Sequence, residues 1–291
     1  MSHHTADPSL APTLLDWYAQ TARDLPWRRT RDPYRVLVSE LMLQQTQVAR
    51  VLEAYPAFLA QFPDVAELAA APVSQVVSAW QGLGYNRRAV NLHRCAQAVV
   101  ERHGGQIPDD LDGLLALPGI GPYTARAVQA FAFSYDAAPV DTNVSRVLAR
   151  AVAGRPLGAK QVQELADDTV PAGRGHDWNQ ALMDLGAQVC KAKAPRCDAC
   201  PIAAECRWRM AGGEDPVARS AVRPRPQGRF EDSDRFHRGR LVDALRSSRV
   251  TASEVPAAAR LTDDPERCDR IVAGLIADGL AEWDGDALRL P

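Results

Sequence analysis

The sequence predicts an all-α protein that closes with a small winged-helix-like module, and three observations predict it. Apolar residues recur at helical spacing in successive segments from Thr13 to Val189, with Pro63, Pro72 and Gly104-Gly105 among the breakers. In their midst, Leu117-Pro118-Gly119-Ile120-Gly121-Pro122 stops one helix and starts another, with proline where a first helical turn tolerates it. Beyond Phe230, Arg235 to Ser247, Ala252 to Ala259 and Pro265 to Ala277 read as three more helices, and Leu280 to Arg289 as a hairpin.

At 291 residues, with 46% hydrophobic and 24% charged side chains, the chain has room for two soluble domains of ordinary size. No run approaches the roughly 18 apolar residues of a membrane span, and Met-Ser-His-His-Thr-Ala-Asp lacks the apolar stretch of a secretory signal, so a cytoplasmic protein is expected. A net charge of −2 argues against attachment to DNA by bulk charge and leaves that work to local patches.

Taken in order, a short amphipathic helix from Thr13 to Ala22 leads to Arg23-Asp24-Leu25-Pro26-Trp27-Arg28, where Trp27 suits a core or a pocket wall. Asp32-Pro33 reads as an N-cap and first helical position for the helix that carries Glu40. A carboxylate in this apolar run either reaches the polar edge or is buried for use, and burial would favour the protonated form a general acid needs. Gln44-Gln45-Thr46-Gln47 follows with hydrogen-bonding groups, which solvated helix-end residues also supply. Helices are expected over Val51 to Phe62, Val65 to Leu68, Val73 to Trp80 and Leu92 to His103. Gln81-Gly82-Leu83-Gly84-Tyr85-Asn86-Arg87-Arg88 is a glycine-bounded loop whose aromatic and two arginines suit insertion beside bases better than core packing.

The helix-hairpin-helix at Leu117 to Arg126 lets the backbone approach a ligand at Gly119 and Gly121 and aims a helix N-terminus at an anion, such as a nucleic-acid phosphate. Asp141 stands before the next helix, a position that most often belongs to an N-cap. Helices then continue over Val144 to Val152, Ala159 to Asp168 and Trp178 to Val189.

Four of the six cysteines, Cys190, Cys197, Cys200 and Cys206, are spaced C-x6-C-x2-C-x5-C, which in a reducing compartment points to a metal before disulfides. Zinc and a cubane iron-sulfur cluster are both bound by four thiolates, but one close pair flanked by single cysteines fits a loop wrapped around a cluster better than a zinc finger. Lys191, Lys193 and Arg196 make the first loop basic, suited to backbone phosphates.

Hairpin, aspartate and cysteines in this order resemble the helix-hairpin-helix DNA glycosylase superfamily with a [4Fe-4S] cluster, the endonuclease III and MutY group. Ser39 to Val48, Gly82 to Tyr85 and Asn179 to Ala187 look specifically like its MutY-type adenine glycosylase branch. The resemblance covers about residues 12 to 210. It implies an iron-sulfur helical domain over 1–28 and 141–210, a six-helix domain with the hairpin over 29–140, a Pro/Arg-rich linker over 211–229 and the winged-helix-like module over 230–291. It also implies excision of adenine opposite 8-oxoguanine by base flipping. Adenine leaves poorly until a ring nitrogen is protonated, so an acid is needed on the base side and negative charge on the sugar side. By resemblance, Glu40 is that proton donor and Asp141 the sugar-side carboxylate, with Tyr123 and Asn143 holding them. Leu25, Trp27, Arg28 and Asp184 match the adenine pocket, Gln45 and Tyr85 match residues pushed into the duplex, and Gly119, Gly121, Lys191, Lys193 and Arg196 match phosphate contacts. Tyr123 stands where the endonuclease III branch carries a Schiff-base lysine, so strand cleavage is not expected.

The implied partner is double-stranded DNA with an adenine mispair, met by a monomer. Thr142 and Asn86 depart from the usual pattern without removing a catalytic group, and the chain has no room for the usual 8-oxoguanine-reading domain. The tail from Phe230 onward has 13 acids and 9 bases, which favours a packing or protein-contact role over independent DNA binding. Two alternatives stay open: a thymine/guanine mismatch glycosylase of the same fold, and a non-catalytic iron-sulfur DNA-binding protein, against which the paired carboxylates argue.

Overall fold

A computed structural model of the chain describes residues 10–220 and 228–291. Residues 1–9, at the start of the first expected domain, and 221–227, in the expected linker, lie outside the described residues. The helices are α1 (Leu10–Thr21), α2 (Pro33–Leu43), α3 (Val48–Gln61), α4 (Val65–Ala70), α5 (Val73–Ala79), α6 (Arg87–His103), α7 (Leu111–Leu115), α8 (Pro122–Phe131), α9 (Thr142–Val147), α10 (Ala159–Thr169), α11 (Gly175–Gln188) and α12 (Arg207–Ala211). The C-terminal residues add α13 (Asp234–Ser247), β1 (Val250–Thr251), α14 (Val255–Ala259), α15 (Pro265–Ala277), β2 (Glu282–Asp284) and β3 (Ala287–Arg289). No helix is long and apolar enough to cross a membrane among the described residues.

The described residues form two compact units, one within Met1–Val36, Asp109–Asp112 and Gly121–Arg225, the other within Leu37–Pro108, Gly113–Ile120 and Pro226–Pro291. In the first, Leu10 and Leu14 of α1, Val144 and Val147 of α9, and Trp178, Leu182 and Leu185 of α11 share one core. Helix α9 continues into a π-helical turn, Leu148–Ala153, that ends at Gly154 with φ 62°. Such wide turns accumulate at functional sites.

In the second unit, Phe58, Leu68, Val76, Trp80, Leu92 and Val99 are buried, and the Phe58 and Trp80 rings meet edge-on at 5.8 Å. The C-terminal residues close a three-stranded antiparallel sheet in the order β1-β3-β2, with Val250 opposite Leu288 and Trp283 opposite Leu288 on its other side. Three helices and this small wing match the expected module. The helix expected from Ala252 begins later, at Val255, because Ala252 donates its N–H to Asp286 and Thr251 pairs with β3.

The hairpin turn is tight. Leu117 and Ile120 donate to Leu114 and Leu117, and Gly119 sits at φ 77° where a Cβ would come within 2.6 Å of the Asn91 Cβ. Gly121, by contrast, has φ −99° and nothing near its missing side chain. Gly119→Ala therefore meets both backbone strain and a clash, costing about 1–3 kcal/mol, while Gly121→Ala costs less than about 1. Urea unfolding of the two variants measures the difference, and equal midpoints would refute it.

Candidate active site

Asp141 caps α9. Its Oδ1 accepts from the backbone N–H groups of Asn143 and Val144 at 2.8 and 2.7 Å, and Asn143 Nδ2 donates to Oδ2 at 2.7 Å. The capping role that the sequence allowed is present, and it fixes the orientation of a partly exposed carboxylate at a helix N-terminus, where the dipole favours negative charge. Asn143 is fixed in turn: its Oδ1 accepts from Arg146 Nη2 at 2.7 Å. Arg146 is buried and spends its remaining donors on the backbone oxygens of Thr142, Gly186 and Cys190, the last at 2.6 Å. A hydrogen-bonded path thus runs from the aspartate to the first cysteine. Gly186 makes the path compact, because a Cβ there would lie 2.6 Å from the Asn143 Cβ.

Cys190, Cys197, Cys200 and Cys206 line one small pocket, partly open to solvent, with Arg150 and Ile202 also in its wall. Burial, and then the charge of the other sulfurs, pushes the Cys200 thiol up to about 11 and raises that of Cys206. Four cysteine side chains around one pocket are a donor set of the kind that metal centres use. No group of three or more His, Cys, Asp or Glu side chains placed to hold a metal ion is found among the described residues.

Arg150, on the π-helical turn and 1% exposed, donates to Lys191 O, Ala192 O and Cys190 Sγ, and pairs with Asp215 at 2.5 Å. Its guanidinium lies 5.1 Å from the Trp208 ring. The loop it anchors leaves Lys191, Lys193 and Arg196 exposed.

Leu25 and Trp27 are buried in the same unit, while Tyr123, at the start of α8, is partly exposed. Asp184, fully buried, accepts two bonds from Arg28, at 2.9 and 2.8 Å, and two from Arg23, from its backbone N–H at 3.2 Å and its Nε at 2.7 Å. Burial works against its charge, but the hydrogen bonds and charge of Arg28 and Arg23 outweigh that and hold the carboxyl below its ordinary 3.8.

In the other unit, Glu40 lies in α2 beside Ser39, both buried. Gln45 and Tyr85 stand in two loops, both at left-handed φ, 55° and 47°. Both loops hang on Arg88. The sequence placed that residue with the loop cations facing DNA, and the structure corrects this: Arg88 is 8% exposed and points inward. It donates to the carbonyls of Leu41, Met42 and Gln44 on one side, at 2.7, 2.9 and 2.6 Å, and of Leu83 and Gly84 on the other, at 3.2 and 3.0 Å, with Thr46 Oγ1 at 2.9 Å. Burial lowers its pKa to about 10, which leaves it charged at neutral pH.

Residues 38–172 match the model of the HhH-GPD superfamily of base excision DNA repair proteins. An adenine DNA glycosylase of Mycolicibacterium smegmatis is 42% identical over 283 residues, covering 96% of this chain and 94% of its own length. The chain belongs to this superfamily. That match takes in the C-terminal module, whereas the adenine DNA glycosylase of Homo sapiens, 43% identical over 212 residues, covers 68% of this chain and 39% of its own. Among solved structures of the same architecture, a thermostable thymine-DNA glycosylase superposes with a TM-score of 0.64 at 32% identity, over 70% of this chain and 96% of that one. The all-α fold expected from the sequence is that of the superfamily.

Sequence reasoning missed Arg23, Arg146 and Arg150 and misread Arg88. Their partners are backbone carbonyls or a carboxylate up to 161 positions away, so no local spacing marks them.

Two outcomes follow. Arg88→Met keeps the apolar stem but orphans several buried carbonyls, and costs about 2–4 kcal/mol in chemical unfolding. For Asp184 the folded pKa lies below the unfolded one, so its contribution is complete above the ordinary value of 3.8 and is lost as pH falls through the folded value. Asp184→Asn should be less stable than wild type at pH 7 and show a shallower loss of stability below about pH 4. Parallel acid slopes in thermal melts would contradict it.

Proposed function

We propose that the chain is a monofunctional adenine DNA glycosylase, acting as a monomer in the bacterial cytoplasm on double-stranded DNA with adenine opposite 8-oxoguanine, and opposite guanine as well. The observation that carries this is Asp141, a carboxylate fixed at the mouth of a helix by two backbone N–H groups and the Asn143 amide. An anion held so firmly is suited to an electron-deficient sugar. Relatives named as adenine DNA glycosylases add the base preference.

Glu40, buried in an apolar helix, donates a proton to N7 of a flipped adenine and makes the base a leaving group. The glycosidic bond breaks, and the electron pair goes to adenine. Asp141 stabilises the oxocarbenium ion or traps it covalently until water adds at C1′. Asn143 keeps Asp141 in place, and Tyr123 holds the carboxylates without offering an amine for strand cleavage. Leu25 and Trp27 wall the base pocket, which the Arg28–Asp184 pair braces. Gln45 and Tyr85 fill the space the base vacates. Gly119, Gly121, Lys191, Lys193 and Arg196 hold the phosphates.

Cys190, Cys197, Cys200 and Cys206 would hold a [4Fe-4S] cluster, whose contribution is to order the loop that carries these cations.

A thymine/guanine mismatch enzyme is the second reading, favoured by the 32% identical thymine-DNA glycosylase. Single-turnover base release from duplexes with adenine opposite 8-oxoguanine, adenine opposite guanine and thymine opposite guanine separates the two. Adenine release should fall by about 10²-fold or more in both Glu40→Gln and Asp141→Asn, with no strand cleavage in any of them. Thymine release alone would decide for the second reading. Iron and sulfide analysis of the purified protein should give four of each per chain for a [4Fe-4S] centre, and zinc in their place would overturn the cluster.

A further inference from the structure

Tyr85 belongs to a loop with an unusual backbone. Gly82, Gly84 and Tyr85 all have positive φ, at 84°, 69° and 47°, and tyrosine has no intrinsic preference for that region. The ring is 38% exposed. Something outside the loop must keep it there, and Arg88 supplies one side, with its guanidinium 5.6 Å from the ring centroid.

The C-terminal module supplies the other. Arg235, in the first turn of α13, lies 5.9 Å from the Tyr85 ring centroid and donates to its hydroxyl at 2.8 Å. Arg235 is itself backed by the Phe230 ring at 5.8 Å. The next loop residue, Asn86, accepts from Arg246 Nη2 at 2.9 Å, and Arg246 also donates to the Val77 carbonyl. The residue after that, Arg87, pairs with Asp278 at the end of α15 at 3.3 Å. Three successive residues are thus each bound by a different side chain of the module.

This explains two features. Asn86, where the family pattern carries a second aromatic, is the acceptor that Arg246 needs. The module's acidic balance, 13 acids to 9 bases, makes it a poor binder of DNA as a whole, yet its cations Arg235 and Arg246 are turned toward this loop.

We propose that the C-terminal module sets the loop that enters the duplex, and that Arg235 is the positioning residue that holds the Tyr85 ring ready for insertion beside the mispair. The proposal rests on the reading of Tyr85 as a residue that enters DNA. A side chain ordered before binding loses less freedom on insertion, so the module acts on base extrusion and leaves the bond-breaking step alone.

The test uses full-length protein and three duplexes: adenine opposite 8-oxoguanine, the same with 2-aminopurine next to the mispair to report unstacking, and adenine opposite an abasic site, where extrusion needs little help. Arg235→Ala should slow both unstacking and base release about tenfold on the mispair and match wild type opposite the abasic site. Arg235→Lys should restore little, since it lacks the planar group that stacks. Arg235→Ala combined with Tyr85→Ala should be no slower than Tyr85→Ala alone. Thermal melts check folding, and Tyr85→Phe, which deletes only the hydroxyl, should still slow unstacking measurably. If Tyr85→Ala slows unstacking but Arg235→Ala does not, or if the double variant shows additive losses, the proposal is overturned while Tyr85 keeps its role. If Tyr85→Ala unstacks the duplex like wild type, the reading of Tyr85 fails and the proposal fails with it. The unstacking signal gives these answers even if no base is released.

Discussion

A single buried guanidinium decides the geometry of two loops. Arg88 lies in the first turn of α6, under a tenth exposed, and its acceptors are the last carbonyls of α2 on one side and the carbonyls of Leu83 and Gly84 on the other. A helix leaves its final carbonyls without partners, and a loop with three left-handed residues within four positions leaves more. In the interior such groups are costly unless bonded, and a planar cation with five donors satisfies many of them from one point. None of these partners is a carboxylate. The charge is offset by carbonyl dipoles, so it is fixed in direction as well as in place.

The same device recurs in the other unit. Arg146 and Arg150 are buried, and each donates to backbone carbonyls of the segment that begins at Cys190, Arg146 to Cys190 and Arg150 to Lys191 and Ala192. One consequence is that the loop with the exposed cations Lys191, Lys193 and Arg196 is held from within by other cations. A second is that Asp141, through Asn143 and Arg146, shares a hydrogen-bonded chain with the first cysteine. The carboxylate and the cysteine loop are therefore set by one network, and Gly186 gives α9 the close approach to α11 that this network needs.

Asp141 illustrates why a structural and a chemical reading of one residue need not compete. The backbone N–H groups that make it a helix cap also hold its oxygens in one orientation, and the proposed chemistry asks for a carboxylate fixed in that way. Asp184 is the contrasting case. It too is an aspartate, but four hydrogen bonds from two arginines occupy it, so its work is to hold Arg23 and Arg28.

The amino-acid sequence alone determined the helical class, the hairpin at Pro118 to Pro122, the four-cysteine set and the three-helix module with its wing. Each of these is written in neighbouring residues: proline and glycine restrict their own backbone, helical spacing repeats every few positions, and metal ligands cluster along the chain. Gly119 was legible for the same reason, while the need for Gly121 was not confirmed by its ordinary φ. Tertiary structure alone decided the fate of the arginines. Arg88 read as a surface cation and became a buried tie, Arg150 read as part of a helix and became the anchor of the cysteine loop, and Arg235 read as the start of a tail helix and came to rest against Tyr85. An arginine's role is set by which acceptors surround it, and those that reassign these three include groups 41 to 150 positions away, on backbone oxygens or a tyrosine hydroxyl that no side-chain pattern advertises.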